Sequence, residues 1–293
     1  MSNLDYWLLL HSVPEIGPAT FRKLLLIFGD PYNVVNATPH QLTNMGLNKN
    51  LVSSILSVFR DEQYSKHLSF VREIQLELTR RGFRIITLCE DTYPNSLKQI
   101  KNHPPIIYVY GKLLQRKNIA IIGTTQPSSE GKQNAVKFAY ELASSGFTII
   151  SGYAKGIDTY AHLGAIKAGG NTIMVLPIGV LNFRIHNELY PVMNNLFSHS
   201  IILSEFFPTA KWETRQALLR NRIIAGLSSG VFVINPGTKG GSITTAKLAI
   251  AYNKPLFIHK SDLYTCGVKE LHRLGAIEVS EPQEIVKLMR WNY

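Results

Sequence analysis

Cysteine is nearly missing from this 293-residue chain, with only Cys89 and Cys266 present. Two isolated cysteines offer neither a disulfide framework nor a thiolate metal set, which fits a reducing cytoplasm. No apolar run approaches the roughly 20 residues of a membrane span, so no membrane partner is expected. Asp5 interrupts the short N-terminal apolar run, and no basic segment precedes it, so a secretory leader is not expected either. The nine histidines show no His-Glu-x-x-His spacing. A dinucleotide fingerprint is absent too, because Gly123-Thr124-Thr125-Gln126-Pro127-Ser128 lacks Gly-x-Gly-x-x-Gly. No metal and no cofactor are expected. Acidic residues are scarce, 20 against 31 Lys and Arg.

What is present begins with that excess of positive charge, a net +11. Hydrophobic residues at 45% and charged residues at 17% describe a folded globular chain. Between residues 211 and 260 stand eight basic side chains (Lys211, Arg215, Arg220, Arg222, Lys239, Lys247, Lys254 and Lys260) and one acid, Glu213, a net +7. Clustered positive charge is the pattern of a face that meets a polyanion.

Periodicity divides the chain into three segments. Residues 1–60 read as a small all-helical domain, in which Val13-Pro14-Glu15-Ile16-Gly17 and Met45-Gly46-Leu47 each open a helix in the manner of a helix-hairpin-helix unit. Glu15 stands where such a hairpin usually has glycine, and a carboxylate there repels phosphate. Residues 61–83 read as a charged connecting helix with an apolar stripe of Leu68, Val71, Ile74 and Leu78. Residues 84–293 read as an α/β domain. Two short strands, 85–88 and 106–110, precede six apolar, β-branched runs at 119–122, 147–150, 172–176, 200–203, 231–234 and 256–258. Helical stretches separate most of these runs, which predicts a Rossmann-like, doubly wound, mostly parallel sheet.

Ligands of such sheets bind beyond the carboxyl ends of the strands. Three glycine-bearing loops fall there: Gly123-Thr124-Thr125, Gly152-Tyr153-Ala154-Lys155-Gly156, and Gly237-Thr238-Lys239-Gly240-Gly241-Ser242. Each leads toward a helix, whose first N–H groups attract anions. Arg220-Asn221-Arg222 adds two cations on one helix, and residues two apart point in nearly opposite directions. One arginine is therefore expected in the groove, the other in an ion pair with Glu205 or Asp158. Trp212, between Lys211 and Arg215, is either a base-stacking residue or an ordinary packing one. Asp158 and His162 lie four apart and could form an acid–base pair, yet the better reading is a capping Asp and a core His. No nucleophile, base and metal assemble, so no enzyme is expected.

As a set, these residues resemble the DprA (Smf) family of DNA-processing proteins. Ser151-Gly152 through Gly156-Ile157-Asp158, Ala161-His162, Gly169-Gly170 and Val175-Leu176 follow its longest signature. Leu203-Ser204-Glu205, the run Arg220 to Ser228, Gly241-Ser242 to Ala246, and Tyr93-Pro94 with Pro104-Pro105 follow the others. The resemblance implies single-stranded DNA binding, a homodimer, and hand-over of the strand to a RecA-type recombinase in transformation or recombination. Residues Gly123, Thr124, Thr125, Gly152, Lys155, Gly156, Arg220, Asn221, Arg222, Lys239, Gly240, Gly241 and Ser242 would contact the DNA. The chain departs from the family at Thr125, where an arginine is usual, and at Val192, Ala217 and Gly240, and the loop from Gly179 to Tyr190 is long. The competing reading is an enzyme or sensor for a nucleotide-like small molecule, akin to the lysine-decarboxylase-like phosphoribohydrolases. Those carry a catalytic Glu where this chain has Thr244.

Overall fold

A computed structural model of the chain describes residues 3–60, 64–113, 117–237, 240–260 and 266–291. It divides into two compact units, Met1–Tyr93 with Lys101–Ile107, and Pro94–Ile100 with Tyr108–Tyr293. The boundary expected near residue 84 falls inside the first of these.

The first unit holds α1 (Asn3–Ser12), α2 (Pro18–Phe28), α3 (Pro31–Asn36), α4 (Pro39–Asn44), α5 (Lys49–Arg60), α6 (Tyr64–Arg80) and β1 (Phe83–Thr87). Proline opens α2, α3 and α4, where its missing N–H is no loss. Asp30 caps α3 by accepting from Tyr32 N at 2.7 Å, and Thr38 with Gln41 forms a capping box on α4. Leu8, Phe21, Leu24, Val34 and Leu42 form the buried centre, with Trp7 stacked on Phe21.

The stretch expected as a solvated connector belongs to this core. Val71, Ile74 and Leu78 of α6 are buried, while Leu68 is only half-buried. Asp5 fixes α6 against α1, accepting from Arg72 Nη2 at 3.1 Å and Gln75 Nε2 at 2.9 Å. Glu15 accepts from Ser54 Oγ at 3.4 Å, so its carboxylate ties the turn between α1 and α2 to α5.

The second unit contains α7 (Asn95–Lys98), most of β2 (Ile106–Tyr110), β3 (Asn118–Gly123), α8 (Ser129–Ser144), β4 (Thr148–Ser151), α9 (Ile157–Lys167) and β5 (Thr172–Val175). It continues with α10 (Met193–His199), β6 (Ser200–Ser204), α11 (Thr214–Leu227), β7 (Gly230–Ile234), α12 (Gly241–Ala251) and β8 (Leu256–His259). It ends with α13 (Cys266–Arg273), β9 (Ile277–Val279) and α14 (Pro282–Trp291). Its strands lie in the order β2-β6-β5-β4-β3-β7-β8-β9. All neighbours run parallel except β2, which is antiparallel to β6. The sheet is doubly wound and mostly parallel, as its fully apolar strands require.

Phe138 of α8 packs on Phe232 of β7 at 4.6 Å between ring centres, and Ile121, Ile149, Phe257, Ile285 and Met289 complete a buried layer around them. The chain winds outward from β3 to β6, then returns to the other side of β3 to lay down β7. The order thus reverses between β3 and β7, paired from Ile119 with Gly230 to Gly123 with Ile234. That is the topological switch point, where such sheets bind ligands.

Candidate nucleic-acid interface

Gly123 ends β3 at this point because nothing else fits. A Cβ there would collide with the carbonyl oxygen of Ile234 and lie 2.6 Å from Ile157 Cγ1. The next two residues form a tight ledge. Ile157 N donates to Thr124 O at 3.1 Å, and Gln126 N donates to Thr124 Oγ1 at 3.2 Å. Gly156 adopts φ +85° directly against this ledge, with Thr124 O 2.5 Å from where a Cβ would stand.

A cleft of about 740 Å³ opens above the switch point. Nine of the residues singled out from the sequence line it: Gly123, Thr124, Thr125, Lys155, Arg220, Asn221, Gly240, Gly241 and Ser242. Gly152 and Gly156 do not; they support the cleft from behind. Lys239 lies outside the described residues.

Arg222 also stands away from the cleft. Successive residues of α11 turn by about 100°, so Arg220 and Arg222 diverge by about 200°. Thr214, Ala217, Arg220, Asn221 and Ile224 form the face that lines the cleft. Arg222, on the opposite face, makes a double hydrogen bond through Nη1 and Nη2 to the two carboxylate oxygens of Glu205, and both side chains are buried. The anticipated ion pair thus belongs to Arg222. As a direct phosphate contact that residue is corrected: its charge is neutralised inside the fold.

Arg220 is 5% exposed. Its Nη1 donates to Val175 O, and its buried Nε makes no hydrogen bond among the described residues. Burial lowers its pKa to about 10, opposed by the Asp158 carboxylate, and the guanidinium stays charged at neutral pH. Burial raises the pKa of Asp158, held back first by Arg220. Asp158 is the single carboxylate lining the cleft among the described residues. Asn221 Nδ2 donates to Gly241 O at 3.2 Å and so ties the start of α12 to the same helix.

Of the three helix starts expected to be open, α8 is closed by Ser128, whose Oγ accepts from Gly131 N at 3.0 Å. The start of α9 is partly used by Thr124 O. Helix α12 is preceded by Gly240 in the capping position, which has no side chain to cap it. The basic stretch is likewise smaller in effect than its net +7. Besides Arg222, Lys247 is engaged, pairing with Glu270 at 2.9 Å.

Asp158 and His162 do not act as a pair. His162 is buried, with Nε2 2.7 Å from Gly152 O and Nδ1 2.7 Å from Thr172 Oγ1, and burial lowers its pKa to about 4. The neutral ring donates from Nε2 to the carbonyl. Thr244, at the position of the hydrolase Glu, uses its hydroxyl on Gly240 O at 3.2 Å.

Sequence reasoning passed over one wall of the cleft. Tyr153 stacks on His186 at 4.2 Å, with its hydroxyl donating to Arg184 O and accepting from His186 N. Burial raises the Tyr153 pKa to about 12, keeping the phenol neutral. Arg184, His186 and Asn182 of the long loop therefore face the cleft. Only the length of that loop hinted at it.

Comparison with known proteins fits this arrangement. A family model described as DNA recombination-mediator protein A matches residues 84–290. The chain belongs to this family. It is 31% identical over 268 residues to the protein Smf of Synechocystis, an alignment covering 87% of this chain and 64% of that one. The chain thus spans slightly under two thirds of that relative's length. The DNA processing protein A of Streptococcus pneumoniae shares the fold, with TM-score 0.75, 24% identity and 98% of both chains covered. A structure on the unique single-stranded DNA binding mode of DNA processing protein A from Helicobacter pylori matches with TM-score 0.62 and 31% identity, covering 72% of this chain and 98% of that one. The resemblance to DprA and Smf read from the loops is established, and with it the Rossmann-like fold. Among the described residues no helix is long and apolar enough to cross a membrane.

Proposed function

We propose that this chain binds single-stranded DNA in the switch-point cleft, by holding phosphates, and that it acts by binding and not by catalysis. The observation that carries this reading is Arg220: a largely buried, charged guanidinium lining a cleft beside the uncapped start of α12. A charged donor next to a helix start that has no side-chain cap suits a phosphate oxygen. Lys155 and the ledge at Thr124 and Thr125 line the same cleft and supply further contacts. None of these groups reads a base edge, so binding is independent of sequence. The solved relative from Helicobacter pylori, whose reported ligand is single-stranded DNA, supports the choice of polyanion.

Family membership extends the proposal to protection of the strand, homodimerisation, and delivery to a RecA-type recombinase in DNA uptake or recombination in the cytoplasm. The alternative of a hydrolase for nucleotide-like molecules loses support from Thr244, which puts a hydroxyl where a carboxylate is needed.

Titration of labelled single-stranded and duplex oligonucleotides across a salt series tests the reading. Tighter binding of the single strand is expected, with log affinity falling linearly against log salt by roughly 0.7 per phosphate held. Equal affinity for both forms, or a flat salt response, would overturn it.

A further inference from the structure

The cleft has an apolar end that phosphate chemistry leaves unused. Trp212 is 63% exposed and Leu218 47% exposed, and both line the cleft together with Pro177 and Ile178. A single exposed hydrophobic residue is ordinary. Trp212 differs because the backbone leading into it is pinned. Gly179 N donates to Ala210 O at 2.9 Å, and Asn182 Nδ2 donates to Thr209 O at 3.0 Å and Ala210 O at 2.9 Å. With its amide nitrogen turned toward them, Gln216 reaches Lys211 O at 2.8 Å and Pro177 O at 2.9 Å. The fold thus fixes the backbone that leads into an indole it does not bury. Arg220, Lys155 and the start of α12 line the same cleft as its charged part. At about 740 Å³ it lies within the ~300–1,000 Å³ range of cavities that enclose small ligands. A ligand that satisfies both parts joins an anion to a flat, apolar ring, which describes one nucleotide unit.

We propose that Trp212, flanked by Leu218, is a base-stacking subsite: one base of the bound strand lies on the indole while a neighbouring phosphate is held at Arg220. This rests on the single-strand reading above and adds a base contact to a site otherwise described by phosphates. Stacking accepts every base, because each has a π-face, so the subsite raises affinity without reading sequence.

The test compares the full chain with Trp212→Ala and Trp212→Phe on two oligonucleotides of equal length, one intact and one abasic throughout. Trp212→Ala should weaken the intact oligonucleotide roughly 5- to 150-fold, while Trp212→Phe retains most of the affinity. The salt slope should stay unchanged, because no phosphate contact is lost. On the abasic oligonucleotide all three proteins should bind alike. Quenching of tryptophan fluorescence by the intact strand should disappear in Trp212→Phe. If Trp212→Ala binds the intact strand as tightly as the parent chain does, the subsite is refuted while strand binding stands. A changed salt slope would also refute it, by showing that Trp212 acts through the phosphate contacts. Failure of the unaltered chain to bind either oligonucleotide would instead overturn the single-strand reading itself.

Discussion

Removing one partner of the Arg222–Glu205 pair separates the structural arginine from the functional one. Both side chains are buried, and the guanidinium meets the carboxylate through two parallel hydrogen bonds. Replacing Arg222 by Met leaves Glu205 buried without its counter-charge, a loss of about 3–5 kcal/mol. For a domain of this size each kcal/mol moves the melting temperature by about 2–4 °C, so a fall of roughly 6–20 °C is expected. The double variant Arg222→Met, Glu205→Leu removes both charges and should recover most of that loss, since apolar replacements of a buried pair are often neutral. Calorimetry supplies the melting temperatures, and titration well below them supplies the affinities. Where folded, Arg222→Met should bind single strands with the parent's affinity and salt slope, because Arg222 points away from the cleft. Arg220→Gln, where folded, should differ in binding: its slope should be shallower by roughly 0.7. It too should lose stability, because the buried Asp158 carboxylate loses the guanidinium that opposes its burial. A stable Arg222→Met variant that binds weakly, with a shallower slope, would show that Arg222 touches phosphate and that this assignment is mistaken.

Two further outcomes follow from the same site. Thr125 is exposed on the ledge after β3, so Thr125→Arg fits without repacking and should steepen the log-affinity against log-salt slope by roughly 0.7 on a single strand; an unchanged slope would place the strand's path elsewhere. His162 has its pKa lowered by burial from 6.5 to about 4, so between these values the unfolded chain takes up a proton that the folded chain refuses. Stability should therefore be full above about pH 6.5 and fall by on the order of 3 kcal/mol as pH drops to 4. Urea unfolding of the parent chain and His162→Gln at several pH values checks this, and parallel pH profiles would exclude His162 as the cause.

Much of the second unit could be read from residues alone, since fully apolar β-branched runs between helices have few other solutions. Strand β9 could not, because Ile277-Glu278-Val279 is only three residues long and mostly exposed, and it carries no period. The opposite directions of Arg220 and Arg222 follow from helix geometry, yet the partner of each depends on Glu205 at the end of β6 meeting α11. That is a tertiary fact. The same holds for α6, whose charged surface suggested a connector until Asp5, some seventy residues away, proved to be its anchor. Tyr153 and the 179–190 loop joined the site through a stacking contact that no local pattern encodes. Charge summed along 211–260 misled for a similar reason: summation counts Arg222 and Lys247 as free, whereas folding pairs them.

The crowding at Gly123 and Gly156 has a consequence for how this protein can vary. A side chain at 123 would strike Ile234 or Ile157, and one at 156 would strike Thr124, so neither position accepts a graded series of replacements. Thr125, by contrast, has its side chain exposed above the same ledge, and Trp212 and Leu218 are also largely exposed. Descendants of this sequence are therefore free to retune how tightly the cleft grips its ligand by changing its rim, one residue at a time, while its floor admits no substitution at all. In a saturation library selected for binding, tolerance should change abruptly over two codons, with 123 invariant and 125 permissive.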